Sequence, residues 1–278
     1  MKRKLYPPRI GPQHASVILG GGDHIRALRE AGLDISGAHI LEVGTGWFPI
    51  MPIMLRIAGA ERVYLTDLHR LMDRNTLLAS ANYVLQNVEQ ITELLNVSEQ
   101  RVRKISSIEN ENNTVESILE RLGFTYIAPF DPALQPMKVD AVISHTVFEH
   151  IPPSVLRQLI LDLKVTLKPG GYMSHGIDNT DHRAIKDKRL SRFDFLRYDD
   201  FTWKLLCLDP QDYTNRMRHH DYLRLLEDAG YEAATHKTYV FKDEIKTVSK
   251  MSLNPRFRTR APEDLVIGWS HLIAKMRN

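Results

Sequence analysis

Two carboxylates flank a glycine turn in segment 40–67, which reads ILEVGTGWFPIMPIMLRIAGAERVYLTD. The turn is Gly44-Thr45-Gly46, and glycines let the backbone approach a ligand closely. Asp67 ends the second apolar run, where a carboxylate can accept hydrogen bonds from both hydroxyls of a ribose. Glu42 lies inside the first run, where it is costly to bury unless it is paired, so it could hold a cationic amino group. These residues predict a pocket for an adenosine-containing cofactor.

The residues after the turn distinguish two classes of cofactor. A dinucleotide site needs G-x-G-x-x-G, so that a pyrophosphate can sit on a helix N-terminus. Here Trp47, Phe48 and Pro49 occupy the positions at which phosphates would need open backbone amides. The bulky loop favours a cofactor without phosphates, and an NAD site on the same kind of fold is the first alternative.

Alternating strands and helices are needed to position these side chains. Short apolar runs predict strands at 40–43, 63–66, 124–128, 138–145 and 172–175. Between the first two, apolar residues recur at the spacing of one helix face, at Ile50, Ile53, Met54 and Ile57. Strands and helices that alternate in this way predict an α/β fold with a parallel sheet and right-handed crossovers.

Other segments complete the predicted architecture. The pattern predicts amphipathic helices at 14–19 and 23–31, a long helical stretch at 71–95, a helical insertion at 96–118, a turn at 168–171 that stops a helix, and closing strands at 233–241 and 265–273. Segment 176–218 is rich in charged and aromatic residues and shows no regular repeat, so it is interpreted as an insertion near the substrate.

The sequence resembles the class I S-adenosylmethionine (SAM) methyltransferases over residues 39–175. Their first motif, [E/D]-x-G-x-G, matches segment 42–46, and two weaker motifs follow at Phe148-Glu149-His150-Ile151 and Lys168-Pro169-Gly170-Gly171. The resemblance implies a Rossmann-like, seven-stranded, mostly parallel sheet with an antiparallel terminal hairpin and helices on both faces. It also implies an N-terminal helical cap over residues 1–38 before a methyltransferase domain over residues 39–278.

The resemblance implies SAM as the cofactor and assigns its contacts. Phe130 can face the adenine, and Asp131 can accept a hydrogen bond from its exocyclic amine. The full set of implied cofactor contacts is Glu42, Gly44, Thr45, Gly46, Trp47, Asp67, Leu68, Phe130, Asp131, Ser144 and His145.

Histidines near the ends of the fourth and fifth strands are the candidates for proton transfer. Histidine suits that role because its unperturbed pKa is about 6.5. We predict catalytic roles for His145, His175 and His182, and acceptor contacts for His175, Asp178 and Arg197. A packing or capping role is the alternative for each of them. No metal site is predicted, because Thr146 stands where metal-binding relatives have an acid.

The expected function is methyl transfer to an oxygen or nitrogen of a small-molecule acceptor. The 278 residues carry a net charge of +3, with no basic stripe for nucleic acid. No membrane-length apolar run or signal peptide is expected, and Cys207, the single cysteine, suits a reducing cytoplasm. A homodimer is compatible with the sequence. The remaining alternatives are a non-catalytic SAM-binding protein and, with less support, an RNA or protein methyltransferase.

Overall fold

The computed structural model describes residues 9–11, 14–108, 114–135, 137–207 and 213–277. Seven strands lie in one sheet with the order β3-β2-β1-β4-β5-β7-β6. The strands are β1 His39–Val43, β2 Arg62–Thr66, β3 Phe124–Ile127, β4 Val139–His145, β5 Leu167–Asp178, β6 Tyr231–Val240 and β7 Ile267–Met276. None of the helices in these ranges is long and apolar enough to cross a membrane.

The α-helices are named in chain order. They are α1 Ala15–Glu30, α2 Ile50–Ala58, α3 Arg74–Gln86, α4 Val88–Leu95, α5 Glu99–Ser106, α6 Val115–Leu122, α7 Pro153–Leu163, α8 Arg183–Lys186, α9 Asp200–Leu206, α10 His219–Asp228, α11 Ile245–Ser249 and α12 Pro262–Leu265. Contacts among Cα atoms divide the chain into two units, 1–145 with 162–174 and 146–161 with 175–277.

The first unit contains the parallel part of the sheet. β1 pairs in parallel with β2 and with β4, and β2 pairs in parallel with β3. The buried strands are short and apolar, as expected for a parallel sheet covered by helices. Seven of the nine residues of α2 are buried, which agrees with its apolar pattern in the sequence.

The second unit contains the antiparallel end of the sheet. β6 and β7 pair antiparallel, with Tyr231 opposite Met276 and Val240 opposite Ile267. Aromatic residues of segment 192–203, including Phe193, Phe195 and Trp203, are buried in the core of this unit. The aromatic pattern of segment 176–218 therefore reflects packing at these positions.

Three local predictions differ from the structure. The two short N-terminal helices are one helix, α1, which runs through the glycines at 20–22 and packs on α2 and α4. The long helix predicted at 71–95 is interrupted at Asn87, between α3 and α4. The turn at 168–171 is part of β5, which begins at Leu167.

The predicted fold class agrees with the structure. The α/β class, the mostly parallel sheet and the antiparallel terminal hairpin are confirmed. The predicted insertion at 96–118 contains α5 and the start of α6, and its residues 109–113 lie outside the described part of the chain, as do residues 1–8 and 12–13 of the predicted cap.

Candidate cofactor site and histidine clusters

The glycine turn after β1 is bonded to the end of β2. The backbone amides of Gly44 and Thr45 donate to the Thr66 carbonyl oxygen, at 2.8 and 3.1 Å. The Gly46 amide donates to Asp67 Oδ2 at 2.9 Å. Gly44 and Gly46 have φ angles of 76° and 71°, which favour glycine. A Cβ added at Gly46 would meet no atom within 4 Å, so the turn borders open space.

The loop after β3 is hydrogen-bonded to Asp67 at the end of β2. The Asp67 amide donates to the Ile127 carbonyl at 3.3 Å, and the Phe130 amide donates to the Asp67 carbonyl at 3.0 Å. The ends of β1, β2 and β3 are therefore connected through Asp67. This is the edge at which parallel sheets bind ligands.

Glu42 is buried inside β1, with 4% of its surface exposed. Among the described residues, its Oε2 atom has no hydrogen-bond partner. Burial raises the pKa of Glu42 to about 8, and the charge of Asp67 adds to this effect. Burial also raises the pKa of Asp67 to about 6, against the opposing effect of the Gly46 amide. The environment of the two acids thus favours a bound cation or neutralising protons.

The other predicted cofactor contacts differ in exposure. Trp47 and Phe130 are half-buried, Ser144 is buried, and Leu68 is 77% exposed. Asp131 is exposed, and its Oδ1 accepts a hydrogen bond from the Ala133 amide at 3.0 Å. Asp131 thus caps a short 3-10 turn.

His145, at the carboxyl end of β4, belongs to a chain of polar groups that the sequence analysis missed. Its Nδ1 lies 3.3 Å from His24 Nε2, and His24 Nδ1 lies 2.6 Å from Ser174 Oγ. Burial lowers the pKa of His145 to about 4, so its imidazole is neutral at pH 7. Gly20, which precedes His24 on α1, was the available signal, since its lack of a side chain lets the helix approach His145 closely.

No protein-family model and no curated protein matches the sequence. Among solved structures, magnesium protoporphyrin IX methyltransferase from Synechocystis PCC 6803 with bound SAH is 15% identical. The match covers 98% of this chain and 90% of that one, with a TM-score of 0.50. A protein assigned as a sarcosine dimethylglycine methyltransferase from Galdieria sulphuraria is 13% identical over 93% of this chain and 86% of that one, with a TM-score of 0.51.

The chain has the class I SAM methyltransferase fold. The predicted Rossmann-like class is thereby confirmed, and it agrees with the strand order of the sheet. The roles of individual residues in this methyltransferase fold stay predictions, because identities of 13–15% establish the fold alone.

The predicted acceptor residues of the methyltransferase fold lie in its second unit. His175 is fully buried and its ring stacks on Phe148, with centroids 4.0 Å apart. Burial lowers the pKa of His175 to about 3. Arg197 Nε pairs with Asp194 Oδ1 at 2.8 Å, beside the aromatic core of the unit. The burial of His175 favours packing over direct contact with an acceptor, whereas Arg197 is exposed and held by the ion pair with Asp194.

A histidine and carboxylate cluster lies in the same unit. Glu149, His150 and His182 each present one potential ligand atom, and these atoms all lie within 4.8 Å of one another. His182 Nε2 is 3.5 Å from Asp178 Oδ2. Burial raises the pKa of Glu149 well above its usual value, and hydrogen bonds lower that of Asp178 despite its burial. Glu149 and His150 are adjacent in the sequence, and this adjacency was the available signal for a site.

Proposed function

We propose that this protein is a SAM-dependent methyltransferase that acts on an oxygen or nitrogen of a small-molecule acceptor, in the cytoplasm. The observation that supports the proposal most is the pair of acids, the buried Glu42 and the half-buried Asp67, on either side of the open turn at Gly46. A diphosphate cofactor would be repelled by the charge of Asp67, and Trp47 and Pro49 stand where its phosphates would need open backbone amides.

The residues present fit this cofactor. The Oε2 of Glu42, which has no hydrogen-bond partner in the part of the chain that the structure describes, can accept a hydrogen bond from an amino group. Asp67, fixed by the Gly46 amide, can accept from ribose hydroxyls. Gly46 leaves room for a ligand beside the backbone. When bound, SAM supplies a methyl group on a positively charged sulfur, which needs little further activation.

The protein's own contribution is alignment and proton transfer. Holding the acceptor in line with the methyl group supplies much of the rate. His145, at the carboxyl end of β4, is neutral at pH 7 and can accept a proton from the acceptor. Its contact with His24, and that of His24 with Ser174, fixes its ring and gives the proton a path.

Calorimetry with SAM, S-adenosylhomocysteine and NAD tests the cofactor assignment. We expect binding of the first two and no binding of NAD. Binding of NAD alone would establish the oxidoreductase alternative. A second assay follows radiolabelled methyl from SAM into pools of metabolites, and SAM binding without any incorporation would indicate a non-catalytic binding protein.

A further inference from the structure

Glu149 has a buried carboxyl group, and a hydrogen bond from another residue reaches only one of its two oxygens. It is 1% exposed, and its Oε1 accepts a hydrogen bond from the Asp178 amide at 3.2 Å. Its Oε2 has no partner among the described residues. A buried carboxylate without a partner is costly, so an oxygen in this state points to a missing ligand.

The two neighbouring imidazoles present nitrogens to the same point. His150 Nδ1 lies 2.9 Å from the Tyr213 carbonyl oxygen, which can only accept a hydrogen bond. The proton of His150 is therefore on Nδ1, and the lone pair is on Nε2. His182 Nε2 is buried and lies 3.5 Å from Asp178 Oδ2, which is longer than an ordinary hydrogen bond. Three potential ligand atoms thus lie within 4.8 Å of one another, and the buried Glu149 Oε2 and His182 Nε2 have no hydrogen-bond partner among the described residues.

No cation in the described part of the chain compensates Glu149. Arg218 is fully buried in the same unit, but its guanidinium donates to the carbonyl oxygens of Asn179, Leu265 and Ile267, each at 2.8 Å. Asp178 adds a second negative charge to the cluster, since its Oδ2 faces His182. The local charge is therefore suited to a divalent cation.

We propose that Glu149, His150 and His182 bind a divalent transition-metal ion of the zinc class, with Asp178 as a supporting carboxylate. Two imidazoles and one carboxylate are a ligand set that zinc accepts when a further position is left open. Bonds of about 2.0–2.2 Å place tetrahedral ligand atoms about 3.4 Å apart. Small side-chain rotations reach that spacing from a cluster already within 4.8 Å.

The backbone that carries two of the ligands is held in place. The side-chain amide of Asn215 donates to the carbonyls of Phe148 and Ile151, at 2.7 and 2.9 Å, and the Asn215 backbone amide donates to the Glu149 carbonyl at 2.7 Å. His150 is oriented by Tyr213, as metal-bound histidines usually are by a second partner. Such an arrangement orients the ligands before the ion binds.

Cobalt binding to the full chain tests the proposal, and SAM is not needed. The protein, without any histidine tag, is stripped with a chelator and titrated with Co²⁺ while the visible absorption of the bound ion is followed. We expect one Co²⁺ per chain, displaced by one equivalent of Zn²⁺. Loss of a supporting partner typically weakens metal binding roughly 10–100-fold, and we expect Asp178→Asn to fall in that range. His182→Ala, which removes a ligand, should weaken cobalt binding by more than that.

The controls separate a site from chance binding and from misfolding. His220→Ala removes a histidine of the same unit that pairs with Asp264 on the surface, and it should leave cobalt affinity unchanged. Glu149→Gln keeps the shape of the side chain and should lose the visible band while near-ultraviolet dichroism is retained. A wild-type protein without the band, or equal affinities in the His182 and His220 variants, would overturn the proposal. Because calorimetry of SAM is a separate measurement, either proposal can fail without the other.

Discussion

The imidazole of His145 packs against the backbone of Gly20, so closely that a Cβ at position 20 would overlap the ring. Gly20 lies in the middle of α1, and His145 ends β4. The contact holds His145 beside His24, which is four residues further along the same helix. The helix that precedes the sheet in sequence thus supports a residue at the candidate site of the first unit.

Gly20→Ala tests this contact. An alanine gains about 1 kcal/mol of helix propensity, but overlap in a packed interior typically costs about 1–3 kcal/mol. Since the added Cβ would meet the His145 ring itself, we expect a net loss of stability in urea unfolding. Leu19→Ala, at a 50% exposed position of the same helix, is the control and should be nearly neutral. A Gly20 variant as stable as this control would contradict the packing described.

Glu42 should make the stability of the ligand-free protein depend on pH. Its pKa is about 8 in the folded protein against 4.5 for the free side chain, so the folded state keeps the proton to a higher pH. The stability that the retained proton of Glu42 contributes is fully present below about pH 4.5 and is lost as the pH rises to 8. The loss should reach up to about 5 kcal/mol, at about 1.4 kcal/mol for each pKa unit.

Glu42→Gln should flatten this dependence in unfolding measurements between pH 5 and 8. Asp67, with a folded pKa of about 6, contributes in the same direction and should leave a smaller slope in the variant. The control is Glu61→Gln, at an exposed carboxylate of the same unit. Equal slopes for the wild type and the Glu42 variant would show that Glu42 is ionised throughout.

Asp67→Ala should weaken SAM binding about ten- to hundredfold. A hydrogen bond to a charged group is worth about 1.5–3 kcal/mol, and the variant also frees the Gly46 amide from its partner. Calorimetry measures the effect, with Glu61→Ala as the control. Unchanged SAM affinity would show that Asp67 does not contact the ribose.

Asn215→Ala should destabilise the second unit by about 2–4 kcal/mol. The variant leaves the Phe148 and Ile151 carbonyls without their donor, and it removes the oxygen that accepts from the Tyr222 hydroxyl and the Met217 amide. Urea unfolding measures the loss. Asn254→Ala, which removes one hydrogen bond to the Arg256 amide at a half-buried position, should cost about 1 kcal/mol or less. Similar losses in the two variants would argue against a central role for Asn215.

The sequence by itself determined the α/β class and the pair of acids around the glycine turn. Glu42, Gly46 and Asp67 lie within one strand–turn–helix–strand unit, so apolar periodicity and glycine conformation, which act locally, were enough to bring them together. The antiparallel terminal strands could be read in the same way from two apolar runs.

Only the tertiary structure decided which distant side chains meet. His24 and His145 are 121 residues apart, and His182 joins Glu149 and His150 from beyond the end of β5. Helix α1 runs without a break through three glycines. Met54, Leu94 and His145 occupy the space that side chains at those positions would fill. Local propensity disfavours glycine in a helix, but packing against other elements outweighs it, and that packing depends on contacts that no local pattern specifies.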